Sequence, residues 1–279
     1  MPLTPDLAVH RGPKSVFASG ETVLTREEIA SDASDPRMDF SIVRLPAGST
    51  RQEIHPKESV WVLLQGSAQL GFAGTESSVQ RQSLFNEPPT ALHLGPDTPV
   101  TILSTGEGSE WALIRTTNAR AFPAKLFLPA DLFPEYRGAG LVQEACLRNV
   151  RLIFDRMARP EANLVVGEVV NYPGRWSSYP PHHHDQPEIY HYRFTDSRGY
   201  GHAELGDDVI KVRANDTIFI PPGLDHAQVS APGYGMYYLW MIRHLPGNPY
   251  TGFTFAEEHK WTLDPAQQGW TPPAIPQKS

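Results

Sequence analysis

Short apolar runs, many alternating with polar positions, punctuate the chain. They are MDFSIVRL (38–45), ESVWVLL (58–64), TALHL (90–94), PVTILS (99–104) and EWALIRT (110–116), then LRNVRLIF (147–154), NLVVGEVVN (163–171), PEIYHYRF (187–194), DVIKVR (208–213), DTIFI (216–220) and YGMYYLWMIR (234–243). Each is short, rich in Val, Ile, Tyr, Phe and Trp, and bounded by Gly, Pro, Asn or Asp. β-branched and aromatic side chains suit a pleated surface and turn formers end the ladder, so the pattern predicts an all-β sandwich or barrel. A 3.6-residue period is scarce. TREEIA (25–30) is the best helix opening, with Thr25 as cap and Glu28 three residues on.

The two series of runs look like copies. HLGPDTPVTI (93–102) aligns without a gap on FIPPGLDHAQ (219–228), and RLPAGSTRQEIHPKESVWVLLQGSAQL (44–70) loosely matches the region 171–205. Two similar all-β halves follow. The Pro- and Gly-rich stretch AFPAKLFLPADLFPEYRGAG (121–140) connects them. The division near residue 125 gives an N-terminal domain, 1–124, and a C-terminal domain, 125–279.

Composition narrows the classes. With 22 Gly and 27 Pro in 279 residues the chain is rich in turn formers, yet 40% hydrophobic residues suffice for a core, which excludes wholesale disorder. Lys+Arg 24 against Asp+Glu 31 gives a net charge of -7, the wrong sign for neutralising nucleic-acid phosphates. Small polar or acidic ligands held by local cations stay open. The single cysteine, Cys146, closes no intrachain disulfide, and MPLTPDLAVHRGPKS has no apolar run of a signal peptide. No stretch approaches the ~18 apolar residues of a membrane helix. These features read as a soluble cytoplasmic protein, with no nucleic-acid or membrane partner and with a homo-oligomer left open.

Four of the 11 histidines fall in YPPHHHDQPEIYHYRF (179–194). On an extended segment His182 and His184 share a face and His183 takes the other. After a turn at Gln186 and Pro187, Glu188 offers a carboxylate to the same face. NDTIFIPPGLDHAQV (215–229) adds strand, turn and then His226. Three imidazoles and a carboxylate suit one divalent transition metal, Zn, Mn, Fe, Co or Ni, better than Mg or Ca. A solvated histidine loop or an expression tag is the plainer explanation, but tags are terminal and longer. His191 lies off the ligand parity and reads as structural. His10, His93, His202, His244 and His259 have no partner at ligand spacing.

These segments resemble the paired motifs of the cupin superfamily, a jelly-roll β-barrel with a metal in its mouth. The first motif is matched by His182, His184 and Glu188, the second by Pro221, Gly223 and His226, with Asn215 where a glycine usually stands. RWSSYPPHHHD (175–185), EIYHYRF (188–194), APGYGMYYL (231–239), VGEV (166–169), SLFNEPPTAL (83–92) and RGAG (137–140) are similar to the 5-deoxy-glucuronate isomerases of myo-inositol catabolism. The resemblance implies a bicupin, and conversion of 5-deoxy-glucuronate to 5-dehydro-2-deoxy-gluconate. Arg175 and His183 replace the family's Asn and Lys, the His184–Glu188 loop is shorter, and the tail 242–261 matches poorly. The first half keeps only His55 and Glu58 of the motif and has Val100 in the place of His226, so one metal per chain is expected, in the second half.

An aldose-ketose isomerase moves a proton between adjacent carbons through an enediol, which a Lewis-acidic metal stabilises. With Glu188 on the metal, Glu168, a charge inside an apolar strand, is the candidate base; the alternative is an outward Glu168 paired with an arginine. Tyr190 and Tyr192 share parity with Glu188 and are candidate cavity hydroxyls. Arg175, Arg193 and Arg243 are candidates for a clamp on a uronate carboxylate. A metal-dependent dioxygenase, another uronate ketol-isomerase and a non-catalytic cupin remain as alternatives.

Overall fold

The computed structural model describes residues 9–27 and 35–273. In chain order its strands are β1 (Val9–His10), β2 (Gly20–Thr25), β3 (Asp39–Leu45), β4 (Thr50–Glu53), β5 (Glu58–Phe72), β6 (Thr75–Arg81), β7 (Thr90–Leu94), β8 (Val100–Thr116) and β9 (Lys125–Phe127). The second half adds β10 (Glu135–Arg137), β11 (Arg148–Phe154), β12 (Leu164–Asn171), β13 (Trp176–His183), β14 (Glu188–Phe194), β15 (Tyr200–Leu205), β16 (Asp208–Arg213), β17 (Thr217–Ile220), β18 (His226–Ser230), β19 (Met236–Arg243) and β20 (Thr254–Phe255). Helical structure among the described residues is confined to short 3-10 turns. The expected helix at TREEIA does not begin at Thr25. That residue closes β2 and its hydroxyl donates to the Met38 carbonyl at 2.9 Å, while residues 28–30 lie outside the described residues.

All strand pairs are antiparallel. The first half forms one sheet ordered β2-β3-β8-β5-β7-β9, with β4 on β8 and β6 on β5. The second half forms two, β1-β17-β14-β19-β12-β11-β10 and β16-β15-β18-β13-β20. The first half departs from the expected strands. PVTILS and EWALIRT are one continuous strand, β8, because Gly106 (φ 56°) and Gly108 (φ 114°) bend the ladder instead of ending it. Opposite them Gly66 (φ 97°) sits so close that a Cβ would meet the Gly108 carbonyl oxygen at 2.0 Å.

The halves exchange strands at their ends. β9, beyond the expected division, pairs with β7 of the first half, and β1 pairs with β17 of the second. The crossing between halves thus lies between residues 127 and 135, a few residues later than the composition suggested.

Alternation decides the packing. Even-numbered residues of β12 and odd-numbered residues of β14 and β19 face the first half. Leu164, Val166, Val170, Ile189, Tyr237, Leu239 and Met241 join Phe40, Ile42, Val60, Val62, Ala112 and Ile114 in one core across both halves. The opposite faces turn inward, where Val150, Val169, Tyr190, Tyr192 and Tyr238 pack with Ala203, Leu205, Ile210 and Val212. Because β12 is buried on both faces, it reads in sequence as a nearly continuous apolar run.

Candidate functional site

The metal-type ligands converge at the mouth of the second barrel. Across the β13–β18 ladder His182 pairs with His226, and Glu188 opens β14. The turn at Pro221 to Gly223 brings His226 there: Gly223 adopts φ 75°, and its N–H donates to the His184 carbonyl at 2.8 Å. Asn215 holds φ 71° and its side-chain amide donates to the carbonyls of Pro13 and Ser15, so it also anchors the N-terminal segment.

His184, Glu188 and His226 are buried and offer ligand atoms all within 4.8 Å of one another. Their hydrogen bonding fits a cation. His226 Nδ1 faces the Leu224 carbonyl at 3.1 Å, which makes it the N–H and leaves Nε2 a bare lone pair. That Nε2 lies 3.3 Å from Glu188 Oε2, within ion-pair range, yet makes no hydrogen bond. Two acceptors facing one another in a dry site are unfavourable without a positive centre between them. His184 Nε2 meets the same Glu188 oxygen at 3.2 Å; burial works to raise the Glu188 carboxyl, but that hydrogen bond holds it low, so it is an anion. His182 stands beside the trio, its ring 4.4 Å from that of His226, with Nδ1 turned to the Ser178 carbonyl at 3.2 Å. Burial, then the neighbouring His226, lowers it to about 3, leaving the neutral imidazole that ligation requires. His183 points away and meets Asp225 Oδ1 at 2.7 Å.

His184 and Glu188, with His182, open into a cavity of about 280 Å³. Its walls include Tyr190, Tyr238, Trp240, Arg137, Arg148 and Asp155, and Tyr250 and Phe253 from the tail roof it. Tyr250 meets His184 edge-on at 5.0 Å and Phe253 lies 4.3 Å from His182. Gly167 makes room for the Trp240 indole, since a Cβ there would fall 2.3 Å from the ring. A larger cleft of about 700 Å³, lined by Arg44, Gln65, Gln80 and Glu110 of the first half, holds no cluster of metal ligands among the described residues. The metal-type ligands His184 and Glu188 line the smaller space.

Several expected site residues lie elsewhere. Glu168 does not enter the cavity. It is fully buried on the opposite face of β12, where Arg81 Nη2 (2.6 Å), Arg151 Nη1 (2.9 Å) and the Tyr237 hydroxyl (2.9 Å) all donate to it. The outward, arginine-paired alternative is the one the strand adopts. Of the two tyrosines, Tyr190 lines the cavity, whereas Tyr192 lies deeper and donates to Gln228 Oε1. None of the three arginines expected as a clamp reaches the cavity. Arg175 holds an outer loop through the Glu144 carbonyl and carboxylate. Arg193 donates to Glu110 across the interface between halves at 2.5 Å, and Arg243 to the Thr117 carbonyl at 3.1 Å. Odd parity on β14 and β19 puts both on the face packed against the first half.

The arginines that do line the cavity are Arg137 and Arg148. Their signal was in the alternation: Arg148 shares parity with Val150, and Val150 pairs with the inward Val169. In the first half the remnant motif has become structure. Glu58 accepts from His93 Nε2 at 3.0 Å, from Asn118 at 2.7 Å and from the Asn163 N–H at 2.8 Å, joining the halves instead of holding a metal.

Other buried histidines set an acid limit. Arg193 Nε donates to His191 Nε2 at 3.1 Å, so Nδ1 carries the proton and donates to Thr217 Oγ1 at 2.8 Å. Burial, then Arg193, holds His191 well below its ordinary value, and burial lowers His244 to about 4. Both stay neutral when folded while the unfolded chain protonates near pH 6.5. Between those values the unfolded state binds more protons, so stability is full above about pH 6.5 and falls as pH drops toward 4. Each such histidine contributes up to about 1.4 kcal/mol per pH unit. The urea midpoint should therefore drop clearly between pH 7 and pH 5, and equal midpoints would contradict this account.

The comparisons accord with this geometry. The model of the KduI/IolB family matches residues 11–262. A relative named 5-deoxy-glucuronate isomerase, from Geobacillus kaustophilus, is 28% identical over 246 residues, covering 81% of this chain and 85% of that protein. The crystal structure of an IolB-like protein from Salmonella typhimurium superposes with a TM-score of 0.78 at 23% identity, covering 92% and 99% of the two chains. A Bacillus subtilis oxalate decarboxylase described with Mn(II) centres shares the bicupin fold at a TM-score of 0.59 and 12% identity, over 86% of this chain and 76% of its own. No helix among the described residues is long and apolar enough to cross a membrane. With two jelly-roll halves, a buried His-Glu-His cluster that among the described residues occurs in the second, and a family match spanning nearly the whole chain, this protein belongs to the KduI/IolB family.

Proposed function

We propose that the second-barrel cavity isomerises an acidic aldose to its ketose, specifically 5-deoxy-glucuronate to 5-dehydro-2-deoxy-gluconate. The observation that carries this reading is the buried trio His184, Glu188 and His226, with its unmatched His226 lone pair, in a chain whose relatives are named for that reaction. The trio, with His182 beside it, would hold one divalent transition ion; two or three imidazoles and a carboxylate suit Mn, Fe, Co, Ni or Zn. Such an ion supplies Lewis acidity to a carbonyl and its neighbouring hydroxyl.

The chain's own groups do the rest. The reaction moves one proton from the hydroxyl-bearing carbon to the aldehyde carbon and one from oxygen to oxygen, with no net change in atoms. Burial pushes the Tyr190 and Tyr238 phenols up, so both stay protonated and act as hydrogen-bond donors to sugar oxygens. Ser177 and Tyr238 share a hydrogen bond at 2.5 Å, which fixes the phenol's position. Besides Glu188, Asp155 is the carboxylate on the cavity wall, and we assign it the carbon-bound proton. Its Oδ1 accepts from the N–H groups of Met157 and Ala158, which orients the carboxylate. Phe253, Trp240 and Tyr250 exclude water from the reacting end.

The test is turnover of 5-deoxy-glucuronate by the metal-loaded protein in deuterated water. Product carrying deuterium on the former aldehyde carbon, without oxygen consumption, is the expected result. Oxygen-dependent turnover, or inertness toward every uronate with the metal site full, would replace the reading with a dioxygenase or a binding protein.

A further inference from the structure

Arg148 is a buried cation with no anion beside it. Its residue is 9% exposed, its Nη1 donates to the Cys146 carbonyl at 2.9 Å, and no carboxylate among the described residues pairs with it. Its charged or titratable neighbours are Arg137, Tyr190, Tyr238 and Cys146. Buried arginines are usually paired, as Arg81, Arg115 and Arg151 are here, whereas Arg159 and Arg243 are buried on backbone carbonyls away from the cavity. Arg81, more deeply enclosed, faces Glu168 at 2.6 Å; burial opposes its charge, but Glu168 more than offsets this and its pKa rises. For Arg148 burial dominates and the pKa falls. Of the buried arginines without a carboxylate partner, Arg148 is the one that lines the cavity beside His184 and Glu188.

The placement is informative. In the sheet order β17-β14-β19-β12-β11-β10, Glu188 lies on β14, while Arg148 and Arg137 lie on β11 and β10 at the far edge. The same cavity touches both. A ligand that spans it meets a cation-binding trio at one end and a pair of guanidinium groups at the other. A uronic acid in its open form has matching ends, an aldehyde with its neighbouring hydroxyl and a carboxylate. The backbone that aims Arg148 is also specialised: Gly138 (φ 85°) lies so close to the Cys146 carbonyl that a Cβ would fall 2.3 Å from its oxygen.

We infer that Arg148 is the specificity-determining residue that binds the substrate carboxylate, with Arg137 as an outer, solvent-facing partner. This rests on the isomerase reading for the chemical class of ligand. Arg137 is the weaker of the two, since its side chain is 43% exposed and already meets Glu135 at 2.8 Å. Arg148 has a free donor edge for a fork-shaped contact with a carboxylate.

Calorimetric titration of the metal-loaded protein with D-glucuronate, and with D-glucose as neutral counterpart, tests the assignment. Wild type should bind glucuronate, less tightly as salt is raised. Arg148→Gln should lose about 100-fold of that affinity, as expected for truncating a buried charge partner. Arg148→Lys should fall between them, keeping charge without the fork. Metal content should be unchanged in both. Without sugar, Arg148→Gln should melt at the wild-type temperature or above it, because an unpaired buried charge has been removed. A merely structural arginine would lower the melting temperature instead. Glucuronate affinity within twofold of wild type in Arg148→Gln, or no glucuronate binding by wild type, would overturn the clamp. If the wild type binds glucuronate through Arg148 but isomerises no uronate, the isomerase reading fails and the clamp stands. If Arg148→Gln turns over uronate as the wild type does, the clamp fails and the reading stands.

Discussion

His226→Ala should yield a folded protein with almost no bound metal and turnover lowered about 1000-fold. The ring is the one ligand contributed by the turn after β17, and its unmatched Nε2 aims at Glu188 Oε2 across 3.3 Å. Three protein ligands are the usual minimum for a catalytic metal, and among the described residues only His184, Glu188 and His226 have ligand atoms within 4.8 Å of one another, so removing one leaves two so placed. A Lewis acid contributes several kcal/mol at the transition state, and each 1.36 kcal/mol is tenfold in rate, which sets the size of the loss. His184→Ala should behave alike. His182→Ala should loosen the metal without abolishing it, because its ring stands beside the trio. His183→Ala should keep full metal, since that side chain turns outward to Asp225. Metal analysis of the purified variants, alongside uronate turnover, reads all four. Near-stoichiometric metal in both His184→Ala and His226→Ala would remove the site. Because the ion ties β13, β14 and β18 together, chelation should also lower the melting temperature of the wild type by mass action.

The cluster of His184, Glu188 and His226 was legible in sequence for a local reason. His184 and Glu188 are four residues apart and His226 follows a proline-glycine turn, so strand parity and turn chemistry suffice to bring them together. The architecture was legible for the same reason, since alternating runs and the two-copy pattern depend on neighbours in the chain. What escaped was the choice of face. NLVVGEVVN is apolar at both parities because β12 is buried between two cores, and an isolated carboxylate in it has no sequence signature of direction. The same ambiguity misassigned Arg193 and Arg243, whose partners Glu110 and Thr117 lie in the other half, 83 and 126 residues away. Arg148 carried a parity signal through Val150, but its meaning depends on the absence of a partner, which alternation does not reveal. The unbroken course of β8 through Gly106 and Gly108 was hidden because a glycine pair reads equally as a turn or as a bend.

Glu168→Ala should cost about 3–5 kcal/mol of folding stability while leaving the metal content of the folded protein unchanged. The carboxylate is the shared anion of Arg81 and Arg151, all three side chains being at most 3% exposed. Arg81 comes from β6 in the first half and Arg151 from β11 in the second, so Glu168 closes an ionic bridge between the halves. Its other oxygen accepts from Tyr237, and the two arginines also donate to the carbonyls of Leu63, Leu84, Phe85 and Glu87. Those carbonyls remain after the substitution, but they offset only part of two buried positive charges. Breaking a buried pair by removing one partner is the costly change, because it strands the other charge out of water. For a chain of this size, 1 kcal/mol shifts the melting temperature by roughly 2–4 °C, so a drop of roughly 10 °C is expected. Arg151→Met alone should cost less, since Arg81 still neutralises the carboxylate. Combined with Glu168→Ala it should cost less than the two single losses summed, as coupled members of one network do. Glu168→Gln separates this role from proton transfer: turnover per folded, metal-loaded molecule should match wild type, because the side chain faces away from the cavity. A stability loss under about 1 kcal/mol for Glu168→Ala, or a 100-fold loss of turnover in a fully folded Glu168→Gln, would return Glu168 to the chemistry.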